Sequence, residues 1–178
     1  MVSATTAELL ERSLAGDRIA FERLFRPVYD DGFRLAVAML SDASLAEDAV
    51  QEALLKAWRK LHTFRAGCDV RPWFLTIVAN QCRSLRRGRW WSVQRMAEVT
   101  VAVSSEDPGS AERLDLEAAL RRLPRQARLV LVLRYYLDLS FEDIAAVTGT
   151  SPTAAKSSTH RALARLREQW SRQEDASR

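Results

Sequence analysis

Apolar residues recur at helical spacing in two blocks of this chain, separated by a stretch with no such pattern. Residues 6–40 read as helix in pieces. Gly16-Asp17 interrupts the pattern, with Asp17 placed to cap the next helical piece. Ala20, Phe21, Leu24 and Phe25 then form one apolar face. Pro27 predicts a second break, with Phe33, Val37 and Leu40 carried on another helix. Ser44-Leu45-Ala46-Glu47 reads as a capping box. Val50, Ala53, Leu54, Ala57, Trp58 and Leu61 come next as a single stripe, while Asp48, Gln51, Glu52 and Leu55 fall on a different, mostly polar face. A loop over 62–71 contains Gly67. Pro72 suits a first helical position, and Phe74, Ile77, Val78 and Leu85 line a helix that ends near Gly88.

The pattern lapses over residues 96–111, where Val, Thr, Ser, Asp, Pro and Gly predict an interdomain linker. Its apolar patch, Val99 to Val103, makes at most a lone strand with nothing to pair with. Helical spacing resumes with Leu114, Ala118 and Leu120 to Leu123, up to Pro124. A strongly apolar helix over 125–136 comes after it, with Leu129, Val130, Val132, Leu133 and Tyr136 buried on more than one side. A further helix opens at Ser140, and a last one runs from Pro152 to about Trp170. The expected fold is all-α, in two small helical domains joined by a flexible linker.

Residues 140–163 carry the sharpest local signal. Ser140-Phe141-Glu142-Asp143 is an acidic capping box, and Phe141, Ile144, Ala145 and Val147 supply a short apolar face. Gly149 stands where a left-handed helix terminus belongs, and Ser151-Pro152 restarts a helix as cap and first residue. This is the layout of a helix-turn-helix, whose second helix enters the major groove. Ser151, Thr153, Lys156, Ser157 and His160 fall near the outer start of that helix, with Arg161, Arg165 and Arg167 beyond for phosphates. Ala155, Thr159, Ala162 and Leu166 point inward. The alternative is a helical hairpin inside an ordinary bundle, its basic residues merely solvated.

Composition adds little to this and excludes much. The net charge is +4 and the apolar fraction 47%, with Arg far more frequent than Lys. Arg suits bidentate phosphate and base contacts, although a high-GC genome enriches it as well. The helix before the linker ends in a run of Arg83, Arg86, Arg87, Arg89 and Arg95 without an acid, enclosing Trp90 and Trp91. Cys68 and Cys82 have no CxxC partner, so neither a disulfide nor a zinc site is expected. The only histidines are His62 and His160, and there is no nucleophile motif or Gly-rich phosphate loop. No enzyme, metal or cofactor is expected. No signal peptide or apolar run of membrane length is present, which predicts a cytoplasmic protein.

Two blocks of residues resemble a known family. Leu120-Arg-Arg-Leu-Pro124, Arg128, Leu139-Ser-Phe-Glu-Asp-Ile-Ala145, Gly149, Ser151, Lys156-Ser157 and His160-Arg-Ala-Leu163 look like region four of bacterial sigma factors. Gly16-Asp17, Ala20-Phe21, Leu24-Phe25, Tyr29, Ala46 to Leu54 and Lys56-Ala-Trp58 resemble region two, as do Phe64, Trp73, Ile77, Ala79-Asn80 and Arg86-Arg87. The absence of regions one and three is similar to the extracytoplasmic-function (ECF) subfamily of the sigma-70 family. The implied domains are region two over 1–90, a linker over 91–111, region four over 112–172, and a disordered tail over 173–178.

The resemblance implies a subunit that binds core RNA polymerase and directs promoter-specific initiation. It implies that Asp48, Gln51, Glu52 and Leu55 dock on the coiled-coil clamp of the β′ subunit. Asn80, Arg83, Arg86 and Arg87 would hold the melted downstream element. Ser151, Thr153, Lys156, Ser157, His160 and Arg161 would read the upstream element as duplex. Trp90 and Trp91 would either cover the bundle or stack on DNA. The apolar helices of region four would rest on the β flap, and the acidic linker, with Glu106, Asp107, Glu112 and Asp115, would thread towards the RNA exit path. An anti-sigma factor is a further implied partner.

The chain departs from the family pattern at three places: Thr153-Ala154-Ala155 where Gly-Thr-Val is common, Ser158 where Arg is frequent, and Ser84 where Asp is frequent. Two other readings are a free-standing helix-turn-helix regulator and a degenerate sigma that only titrates an anti-sigma factor.

Overall fold

The computed structural model describes residues 5–90, 119–120 and 122–176, the side chains of 88–90 and 172–176 excepted. The chain forms two compact units, Met1–Val99 and Thr100–Arg178. All regular structure among the described residues is helical. The expected linker over 91–111, with Trp91, Arg95, Val99 to Val103, Glu106 and Asp107, lies outside the described residues, as do Glu112, Leu114, Asp115 and Ala118.

Among the described residues the first unit holds four helices, α1 (Thr6–Leu14), α2 (Arg18–Leu40), α3 (Ala43–Lys60) and α4 (Val70–Trp90), with a 3₁₀ turn at Leu61–Thr63. Helices α2, α3 and α4 pack against one another, and α1 lies on α2. Asp17 caps α2 as expected: its Oδ1 accepts from the N–H of Ile19 at 2.9 Å and of Ala20 at 3.0 Å. Its Oδ2 accepts from Arg12 at 2.6 Å. The backbone donors, Ala20 first, and then Arg12 hold the Asp17 carboxyl below its usual value.

The predicted break at Pro27 does not occur, and α2 runs unbroken through it. An interior proline costs about 3 kcal/mol. Pro27 is exposed, while Leu24 and Phe25 before it and Val28, Leu35, Ala36, Val37 and Met39 after it are buried. Each large side chain gains roughly 1.5–3 kcal/mol on burial, so packing outweighs the lost hydrogen bond.

The expected cap of α3 also shifts. Asp42, not Ser44, is the N-cap, its Oδ1 accepting from the Leu45 N–H at 3.0 Å. Ser41 at φ 59° ends α2 one residue earlier. The Asp42 carboxylate takes a free N–H at the helix start, so the helix begins before Ser44 can act as its cap. Ala46, Ala49, Ala53 and Ala57 are fully buried and, together with Val50, let α3 approach its neighbours closely. Pro72 sits at the third position of α4 rather than the first, because Asp69 accepts from the Arg71 N–H at 2.9 Å and starts the helix earlier.

In the second unit, Ala119, Leu120 and Arg122 are helical and lead to α5 (Arg125–Leu131), α6 (Phe141–Thr148) and α7 (Pro152–Ala176). The single helix expected over 125–136 changes pitch. Residues Val132–Tyr136 form a π turn, closed by the Leu137 N–H donating to the Val132 carbonyl at 2.9 Å. The wider turn buries Leu133 and Leu137 and leaves Tyr135 and Tyr136 exposed, which corrects the burial expected for Tyr136. Helix α7 continues six residues past Trp170, so residues 173–176, expected as tail, are helical. No helix among the described residues is long and apolar enough to cross a membrane.

Candidate nucleic-acid interface

Two faces of the first unit differ in chemistry. On α3, Asp48, Gln51, Glu52 and Leu55 are all exposed, and Leu55 keeps 51% of its surface accessible. The stripe opposite them, Val50, Ala53 and Ala57, is fully buried and fixes which way this acidic and apolar face looks. On α4, Asn80, Arg86 and Arg87 are exposed and Arg83 is half-buried. Arg83 Nη1 donates to Asn80 Oδ1 at 2.6 Å. Burial lowers Arg83 from its ordinary value, with Cys82 opposing that effect and Arg87 adding to it. Cys82 itself is buried against the bundle, and desolvation pushes its thiol up to about 12.

Two polar ties, which the sequence pattern did not reveal, hold these helices in register. Lys56 of α3 donates to the buried Gln81 of α4. Arg71 Nε of α4 donates to Asp31 Oδ2 of α2 at 2.7 Å, and Arg34 reaches the other oxygen of Asp31 at 3.6 Å. Arg71 and Asp31 lie 40 positions apart, so no periodicity could have linked them.

Aromatic rings line the base of α4. Trp73 meets the ring of Phe64 edge-on at 5.3 Å and that of Phe25 at 6.3 Å, and Phe25 meets Phe74 at 5.3 Å. Phe64 and Trp73 are half-buried. Trp73 is therefore both core and surface. The adjoining loop, 64–69, has Cys68 exposed at its tip and Gly67 at φ 84°.

The helix-turn-helix forms at the expected place. Ser140 Oγ accepts from the Asp143 N–H at 3.0 Å and donates to its carboxylate at 2.7 Å. This is half of the expected box, since Asp143 bonds the Ser140 hydroxyl. Gly149 closes α6 at φ 72°, its N–H donating to the Ala145 carbonyl at 2.8 Å. Ser151 Oγ accepts from the Ala154 N–H at 3.2 Å and caps α7.

Ser151, Thr153, Lys156, Ser157, His160 and Arg161 are all exposed, as is Ala154, while Ala155, Thr159 and Ala162 are buried. Ser158 is half-buried and accepts weakly from Arg161 at 3.4 Å. His160 stands edge-on to Phe141 at 6.4 Å, and the Arg134 guanidinium lies 5.1 Å from the same ring. Arg134 also donates to the Leu139 carbonyl at 2.7 Å. The sequence marked His160 as outward but not this support behind it.

Comparison with known proteins divides along the same two units. Residues 24–92 match the family model for sigma-70 region 2, and residues 113–166 match that for sigma-70, region 4. The chain is 34% identical over 163 residues to the ECF RNA polymerase sigma factor SigM of Mycobacterium tuberculosis, covering 91% of this chain and 83% of that protein. It is 33% identical over 163 residues to the RNA polymerase sigma factor CarQ of Myxococcus xanthus, covering 89% and 94% of the two. Among solved structures it is similar to the sigma factor RpoE of Bartonella quintana, crystallised with the anti-sigma factor NepR. There the TM-score is 0.73 at 31% identity, over 85% of this chain and 96% of that one.

Proposed function

Given that this chain belongs to the extracytoplasmic-function sigma factors of the sigma-70 family, subunits that direct RNA polymerase to promoters, we propose how its surfaces divide that work. The face of α3 with Asp48, Gln51, Glu52 and Leu55 docks on the β′ clamp coiled coil of core polymerase. The face of α4 with Asn80, Arg83, Arg86 and Arg87 holds the single-stranded downstream element. The start of α7, from Ser151 to Arg161, reads the upstream duplex. The exposed Tyr135 and Tyr136 of the π turn suit the β flap.

One observation carries this division: α3 and α4 share a core yet turn opposite chemistries outward, carboxylates on one and guanidinia on the other. A carboxylate face repels DNA and suits a basic protein helix, whereas exposed guanidinia bind phosphates in a salt-dependent way. At α7, the buried Ala155, Thr159 and Ala162 fix the outward set that meets the groove.

A protein partner is suggested by the structural relatives, since RpoE was crystallised in complex with the anti-sigma factor NepR and the structure of CnrH is that of its complex with the cytosolic domain of CnrY. We take an anti-sigma factor as this chain's partner too, and cytoplasm as its compartment.

Run-off transcription from genomic promoter fragments, with core polymerase and with or without this protein, tests the proposal. Protein-dependent transcripts that vanish on reversing the charges of Asp48 and Glu52 support it. Transcription indifferent to those changes refutes the docking surface. A complete lack of protein-dependent transcript favours a chain that only titrates an anti-sigma factor, and a duplex shift without polymerase favours a free-standing regulator.

A further inference from the structure

We infer that Arg83 is a positioning residue for Asn80, holding its carboxamide oxygen inward so that position 80 turns its NH₂ donors towards DNA. The inference rests on the proposed contact between α4 and the non-template strand. It concerns which atoms that contact recognises.

Arg83 Nη1 and the Asn80 side chain are 2.6 Å apart, one helical turn from each other on α4. A guanidinium only donates, so the Asn80 atom facing it is the carbonyl oxygen. The reversed amide would set an NH₂ group against guanidinium N–H groups, donor against donor. An exposed asparagine without such a partner turns about its last torsion and serves as donor or acceptor alike. Here Asn80 is exposed while Arg83 is half-buried, so the anchor is more restrained than the side chain it orients. With the oxygen held against Arg83, the NH₂ group on the other side of the carboxamide carbon is the part turned towards a ligand.

At the position where thymine carries O4 and guanine O6, the base accepts from this group; the N6 amine of adenine and the N4 amine of cytosine, in the same position, meet it donor to donor. Where Asn80 meets that position of a base, the chain therefore selects keto over amino bases.

The test uses holoenzyme reconstituted with wild-type, N80A, N80D, R83A or R83K protein. Templates carry each of the four bases at every non-template position of the downstream element, and core binding and helicity are measured alongside. Wild type is expected to favour keto bases at one position by about three- to tenfold, and N80A removes that preference. N80D keeps one oxygen on Arg83 and presents the other as an acceptor, so the preference reverses towards amino bases. R83A lets the amide turn and shrinks the preference below about twofold, while R83K, still a donor, retains most of it. Uniformly weaker transcription in R83A with the base preference intact overturns the inference and makes Arg83 a phosphate contact. No change in any preference with N80A overturns the DNA contact itself and the inference with it.

Discussion

Gly32 of α2 lies so close to Phe74 of α4 that a Cβ at position 32 would stand 2.8 Å from Phe74 Cε1 and 3.4 Å from Val78 Cγ2. The two helices cross at this point, and Phe74 is fully buried. Gly32→Ala gains about 1 kcal/mol in helix propensity but pushes against a fully buried ring, an overpacking cost of about 1–3 kcal/mol. The expected net result is a loss of about 1 kcal/mol in denaturant unfolding. A gain in midpoint would mean that the ring can yield.

Asp31 and Arg71 join the same two helices by an ion pair whose side chains retain 19% and 28% of their exposure. A double-mutant cycle with Asp31→Asn and Arg71→Gln should give a coupling of about 1 kcal/mol, near the upper end for partly exposed pairs. A coupling near zero would show that Asp31 is served well enough by Arg34 alone.

Cys82 holds its proton to about pH 12 in the fold, against 9.0 for an ordinary thiol. Between these values the unfolded chain has lost the proton and the folded chain keeps it. Stability is therefore complete below pH 9 and falls as pH rises, by about 1.4 kcal/mol per unit from this group. Comparing unfolding at pH 8 and pH 10 in wild type and Cys82→Ala isolates it, and the variant should show the shallower slope. At neutral pH an alkylating reagent should modify exposed Cys68 and spare Cys82 until denaturant is added; mass spectrometry reads this directly.

Gly149 ends α6 in a left-handed conformation, with nothing within 4 Å of where a Cβ would stand. Space is not its constraint; backbone conformation is. Gly149→Ala should destabilise the second unit by about 1 kcal/mol, whereas Gly149→Asn, which tolerates positive φ, should cost less. Equal melting temperatures for the two variants would contradict this.

Lys156 is exposed near the start of α7. If it meets DNA as proposed, Lys156→Ala lowers initiation across promoters and reduces its salt dependence. Unchanged initiation on every promoter would remove Lys156 from the interface.

Much of this was legible without coordinates. The stripes of α3 and α4, the cap at Asp17 and the Ser140, Gly149 and Ser151 punctuation each depend on residues within a turn or two of one another. Local chemistry determines such features, and their outward residues are set by the same periodicity. Pro27 misled because a local rule was set against burial on both sides of it, and Ser44 misled because Asp42 competes for the same cap.

The sequence by itself determined the helical class, the turn-helix punctuation and the outward face of each helix, since helical period and capping are short-range. Only the tertiary structure decided that α2 continues through Pro27, that Gly32 admits Phe74, and that Asp31 reaches Arg71 across 40 positions. The reason is that packing energy belongs to pairs of surfaces, and which surfaces meet is written in no single segment. The acidic and basic faces were each readable alone; the core that holds them on separate helices became visible only when the chain was folded.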